Sequence, residues 1–161
     1  MIRADLAALE AVEHLLEAIS LATMLGHKAA VSECCRRLAE VHIGMGDAAQ
    51  AYDYAMRALA ISEEVGTRVH IGTAHRVLAE AISAAGPGTP EQAPELMRRA
   101  EEHFRRAVEI LAGMKNELEL ARCYRSFAGL CERIGKPEDA AKLRQRADEI
   151  FGRLRGAASV D

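Results

Sequence analysis

The chain has 161 residues, of which half are hydrophobic and only 4% aromatic, and its formal net charge is −3. That length suits one ordinary core without forcing a second domain, and the lack of a basic excess argues against nucleic acid as a partner. No run approaches the ~20 apolar residues of a membrane span, and Met1-Ile2-Arg3 does not open a signal peptide, so the chain is expected to be cytoplasmic with no membrane partner.

Alanine supplies much of the apolar content, which favours closely packed helices over sheets. From Leu6 to Leu25, apolar residues at Leu9, Val12, Leu16 and Ile19, with Leu15, Ala18 and Ala22, follow the rhythm of an amphipathic helix that Gly26 ends. A second helix is expected from about Lys28 to Gly44. A third, capped by Asp47, runs to Val65 and stops at Gly66. The fourth, about Arg68 to Ala84, ends at Gly86-Pro87-Gly88, the one real loop. Thr89 then reads as an N-cap with Pro90 at the first helical position. Pro94 implies a kink or a short separate turn near Ala93 before the fifth helix continues to Ala112. The last pair spans about Glu117 to Arg133 and Pro137 to Leu154. Breaks of a single glycine make neighbouring helices antiparallel, so the chain reads as a row of hairpins.

A frame of small residues recurs along this row. Leu38-Ala39, Gly46 and Ala58 reappear as Leu78-Ala79, Gly86 and Ala107, and again as Phe127-Ala128, Gly135 and Ala147. Leu38 to Leu78 is a step of 40 and Leu78 to Phe127 a step of 49, so one copy carries a nine-residue insertion between Gly86 and Ala100. The extra residues are expected to form a projecting end made of Glu91 to Arg99. The internal period predicts a stacked helical array. Its divisions are 1–26 as a half repeat, 28–66 as repeat 1, 68–113 as repeat 2 with its insertion near 87–95, and 117–156 as repeat 3, all within a single domain over 1–161.

Cys35-x-x-Leu38-Ala39-x-x-His42 followed by Gly46-Asp47, Ala51-x-x-x-Ala55 and Ala58 resembles the tetratricopeptide repeat (TPR). His75-x-x-Leu78-Ala79-x-x-Ile82 with Ala100-x-x-x-Phe104, and Tyr124-x-x-Phe127-Ala128-x-x-Cys131 with Pro137 and Ala140, are further copies. The family unit is about 34 residues, whereas these copies repeat at 40, which resembles the long variety attached to bacterial regulatory proteins. The resemblance implies an all-α superhelical solenoid of about seven helices, whose first helices line a concave groove, and a role in binding proteins.

Counting back from the Leu-Ala pair places Arg36, Arg76 and Arg125 in the groove, with Glu40, Glu80 and Gly129 four residues later. The first two copies thus carry an i, i+4 ion pair. The third lacks it, leaving Arg125 beside Arg122 as a cationic spot able to engage a carboxylate or an acidic helix. Glu40 and Glu80 would repel a C-terminal carboxylate, which argues against the clamp of chaperone-cofactor TPRs.

No catalytic constellation is present. There is no Glu-x-x-His pair, no His-Glu-x-x-His, no Gly-x-Ser-x-Gly and no phosphate loop, so neither an enzyme, a metal site nor a cofactor is expected. His42 and His75 read as packed histidines. Cys34, Cys35, Cys123 and Cys131 read as reduced, inert thiols, although Arg36 and Arg37 adjoin the first two and could lower a thiol pKa. The leading reading is a module that binds a peptide or partner domain in its groove within a bacterial signalling or regulatory system. The alternatives are an oligomerising or structural segment, forming a homodimer through Leu143, Ile150, Phe151 and Leu154 where the array lacks a capping helix, or an autoregulatory fragment making an intramolecular contact in a longer kinase, ATPase or transcription factor.

Overall fold

The computed structural model describes residues 2–86 and 92–158, with side chains from Leu6 onward. The described residues form seven helices and no strand: α1 (Ile2–Met24), α2 (Lys28–Met45), α3 (Ala48–Val65), α4 (Arg68–Ala84), α5 (Ala93–Gly113), α6 (Glu117–Arg133) and α7 (Pro137–Ala158).

The breaks follow from local chemistry. At Gly46 the backbone turns left-handed, φ 77°, a conformation that side chains disfavour, and its N–H and that of Asp47 return to the last carbonyls of α2. Asp47 then caps α3 by accepting from the Gln50 N–H at 3.2 Å. The α5–α6 turn departs from the single-glycine rule. It passes through Lys115, whose φ of 53° makes it a rare non-glycine left-handed residue, and Asn116 caps α6 by accepting from the Glu119 N–H at 3.3 Å.

The insertion differs from its expectation. α5 begins at Ala93 with Pro94 in its first turn, where no backbone N–H is needed, so the helix requires no kink. Thr89, Pro90 and Glu91 of the expected cap lie outside the described residues. At 21 residues α5 is only slightly longer than the 18-residue α3, and its first turns do not project. Leu96 and Met97 pack against the core, and Arg99 donates to the Tyr52 hydroxyl of α3 at 3.2 Å.

Each helix packs on its chain neighbours, and the first helices α2, α4 and α6 also touch one another in order. Among the described residues, the second helices α1, α3, α5 and α7 make no close backbone approach to each other. The row therefore closes on the side of α2, α4 and α6 and splays on the other. Close approach rests on the small residues: Ala39, Ala79 and Ala128 on first helices, and Ala51, Ala58, Ala107, Ala140 and Ala147 on second helices, are buried throughout. Leu38, Leu78, Phe104, Leu111 and Leu130 fill the space between them. Phe104 stacks on Phe127 at 5.2 Å, joining the second hairpin to the third.

The tightest approach is at Gly72 on α4, where a Cβ would lie 3.0 Å from side-chain atoms of Ile110 and Leu111. A Gly72→Val substitution should therefore lower the unfolding free energy by about 1–3 kcal/mol through overpacking, read from urea denaturation, despite the gain of helix propensity.

The same hairpin holds His75 and His103 with their Nδ1 atoms 2.9 Å apart. Burial, with His103 and Arg106 nearby, pushes the His75 pKa down to about 4. Burial and Arg99 lower that of His103 against the opposing Glu102 and Glu63. A base that resists protonation only when folded contributes stability in full above its unfolded pKa and loses it as pH falls from about 6.5 toward 4. After allowance for partial solvent screening, about 1–2 kcal/mol should be lost across that window, and replacing both residues by leucine should flatten the profile in thermal melts taken at several pH values.

Candidate partner-binding face

The polar sides of α2, α4 and α6 meet in one connected ion network. Arg36 donates through Nε and Nη2 to both oxygens of Glu33, at 2.8 and 2.7 Å, and through Nη1 to Glu40 at 2.6 Å. Arg37 joins Glu33 from the rim at 2.8 Å. Glu40 also accepts from Arg76 Nη2 at 2.7 Å, which carries the network from α2 to α4. Arg76 donates onward to Glu80 at 2.8 Å and to Glu119 of α6 at 3.3 Å. Ser126 donates to Glu80 at 2.6 Å and Arg122 to Glu119 at 2.7 Å. Three first helices are thus bridged by side chains that the sequence shows only as local i, i+4 pairs.

The electrostatics follow from enclosure. Burial pushes the Glu33 carboxyl up, but the hydrogen bonds and charges of Arg36 and Arg37 prevail and hold it at about 2. Burial likewise lowers the Arg76 pKa, and the carboxylates of Glu80, Glu40 and Glu119 more than reverse it. Arg76 remains a cation, although only 4% of it is exposed.

The three arginines that are equivalent in sequence are not equivalent in space. Arg36 and Arg76 are buried, at 9% and 4% exposure, and engaged by their own protein's carboxylates. Arg125 is exposed, and its guanidinium lies 4.4 Å from the centre of the Phe151 ring. Nor do Arg122 and Arg125 form one unpaired cationic spot: Arg122 belongs to the network through Glu119, while Arg125 turns to α7. Gly129 leaves open space where the other copies hold Glu40 and Glu80.

The four apolar residues of α7 are also partly used. Ile150 is buried with Ala121 and Tyr124 of α6, and Leu143, Phe151 and Leu154 are half-buried against that cluster. They pack within their own hairpin instead of awaiting another helix.

The remaining polar candidates resolve into packing. His42 stacks on Tyr54 at 5.5 Å and lies 3.5 Å from Asp47. Burial raises the pKa of Cys34 and of Cys35, and pushes Cys123 to about 12. Arg37 acts to lower the Cys34 pKa, but burial and the Glu33 charge prevail, so that thiol is not activated. Among the described residues no three His, Cys, Asp or Glu side chains converge as metal ligands, and no helix is long and apolar enough to cross a membrane.

Sequence reasoning did not anticipate two clefts beside α5, one against the ends of α4 and α6 and one between α5 and α7 over α6. One of about 490 Å³ is lined by Pro94, Met97 and Ile134, and another of about 410 Å³ by Val108, Tyr124 and Leu143. Both depend on how α5 sits against its neighbours in the row, which no single hairpin reveals.

No family model and no curated protein matches this sequence. The fold does match solved structures. One is the crystal structure of BtubC (BKLC) from P. vanneervenii, with a TM-score of 0.68 and 21% identity over 93% of this chain. The likeness shows a shared helical fold. The chain spans 59% of the length of the BtubC chain it matches.

The network gives a direct test of which arginine matters to the fold. Arg76→Ala leaves Glu80 with Ser126 alone and takes one of two arginines from Glu40 and from Glu119, and should cost about 3 kcal/mol, toward the lower end for a broken buried pair because Arg36 and Arg122 still hold those two. Arg125→Ala should cost about 1 kcal/mol or less. Equal losses in calorimetric unfolding would contradict the difference in burial.

Proposed function

We propose that this chain is a TPR-type interaction module that binds a protein segment along the face of α2, α4 and α6. The observation that carries this reading is the ion network running unbroken across those three helices. Its buried arginines fix the side chains of the face in place before a partner arrives, which reduces the ordering cost of binding. Glu33, Glu40 and Arg122 remain partly exposed along its length, with spare lone pairs and N–H groups directed at solvent. A partner on this face would meet carboxylates at the α2 end and a guanidinium at the α6 end, which sets one orientation for a segment carrying a basic and an acidic residue. The repeat length and the TPR resemblance favour a cytoplasmic, bacterial regulatory setting, and nothing in the site favours catalysis.

Capture from extracts of the native cell, quantified by mass spectrometry, tests the assignment. Arg122→Glu should reduce recovery of a true partner about tenfold or more, while Lys142→Glu on the exposed surface of α7 should leave it unchanged. A partner recovered equally by wild type and Arg122→Glu would remove the face from consideration.

A further inference from the structure

The two ends of the array leave apolar and charged groups uncovered in complementary fashion. α1 packs on α2 alone, and Leu6, Leu9, Leu16 and Leu21 on its other sides are between 44% and 61% exposed. Among them stand Glu10, Glu13 and Glu17, spaced i, i+3 and i+7 so that the three carboxylates share one face and repel. Among the described residues neither Glu10 nor Glu13 has an ion pair, and Glu17 meets only His14 at 4.0 Å. Every carboxylate on α2, α4, α5 and α6, by contrast, is paired with an arginine.

At the opposite end the deficit has the other sign. Arg76 receives a carboxylate from the helix that follows it in the row, through Glu119 of α6. Arg125, its counterpart one repeat later, lies over the Phe151 ring and has no carboxylate partner among the described residues. One stripe of α6 carries Leu118, 43% exposed, then Arg125, then Gly129, beside which a Cβ would meet nothing within 4 Å. This end thus offers an apolar contact, an unpaired cation and space.

We propose that copies of this chain associate head to tail, the outer face of α1 in one copy seating on the Leu118–Arg125–Gly129 stripe of the next. The Glu10, Glu13 and Glu17 row would supply Arg125 with the carboxylate that α6 supplies to Arg76. The leucines of α1 would cover Leu118. Because the two surfaces differ and lie at opposite ends of the row, two copies do not close the interface. The assembly extends, with one free end of each kind. The contacts it invokes, Leu118, Arg125 and Gly129, lie outside the ion network, although Arg122 shares their stripe of α6.

The 161-residue chain tests it in solution. The weight-average mass from light scattering should rise at least about twofold between about 10 μM and about 1 mM, and the rise should diminish in high salt. Leu9→Asp with Leu16→Asp blocks one end, and Leu118→Asp with Arg125→Asp blocks the other. Each variant, its helical circular dichroism intact, should stay monomeric alone, and an equimolar mixture should form a dimer and stop there. Glu13→Arg and Arg125→Glu should each weaken association about tenfold or more and restore it when combined in one chain, a comparison that does not depend on the leucine variants folding. A wild-type chain that stays monomeric at about 1 mM, or blocked variants that fail to pair when mixed, would overturn the proposal.

Discussion

Everything in this molecule depends on how closely its first helices can approach. Ala39, Ala79 and Ala128 remove the side-chain bulk that would keep hairpin axes apart, and Gly72 does the same between α4 and α5. Close approach on one side leaves the second helices splayed on the other, so the array acquires an inner and an outer side from packing alone. The inner side is then narrow enough for an arginine on one helix to reach carboxylates on two neighbours. The ion network depends on that spacing, since its bridges run from Arg76 to Glu40 of α2 and Glu119 of α6.

That enclosure changes what the repeated arginines are. In a solvated helix an Arg–Glu pair at i, i+4 contributes a few tenths of a kcal/mol. Surrounded by three carboxylates, Arg76 becomes a cross-brace whose charge is fully used inside the protein. The face it stabilises is consequently close to neutral. In the proposed reading, recognition rests on the exposed edges of Glu33, Glu40 and Arg122, and the buried Arg36 and Arg76 are not the reading heads.

Much of the architecture was legible in the sequence because it is local. Helix limits follow from apolar period, from Asp47 as a cap and from glycines that adopt the left-handed turn without strain, and the observed ends of α2, α3, α4 and α6 fall within a residue or so of those readings. The α5–α6 turn was less legible, because Lys115 adopts a backbone conformation that its side chain disfavours. The insertion was misjudged because helix propensity does not reveal that Leu96, Met97 and Arg99 have surfaces to pack on. The site was half visible. Arg36, Arg76 and Arg125 are one residue by repeat arithmetic, but what each touches depends on the helix that comes next, and position in the array is not encoded in the repeat.

The seam between the second and third hairpins is a mechanical weak point of a definite kind. α4 and α6 approach less extensively than α2 and α4 do, and α5 and α6 less than α3 and α4. The join is carried by the Phe104–Phe127 stack and by polar bridges: Arg76 to Glu119, Ser126 to Glu80, and Arg133 to the Ser83 carbonyl at 2.9 Å. Interdigitated alanines resist bending with a stiffness that salt hardly alters, whereas ionic bridges soften as counterions compete for them. The seam at the third hairpin thus leans more on polar bridges, relative to its backbone contact, than the seam before it, so that its stiffness should answer more to the ionic composition of its surroundings.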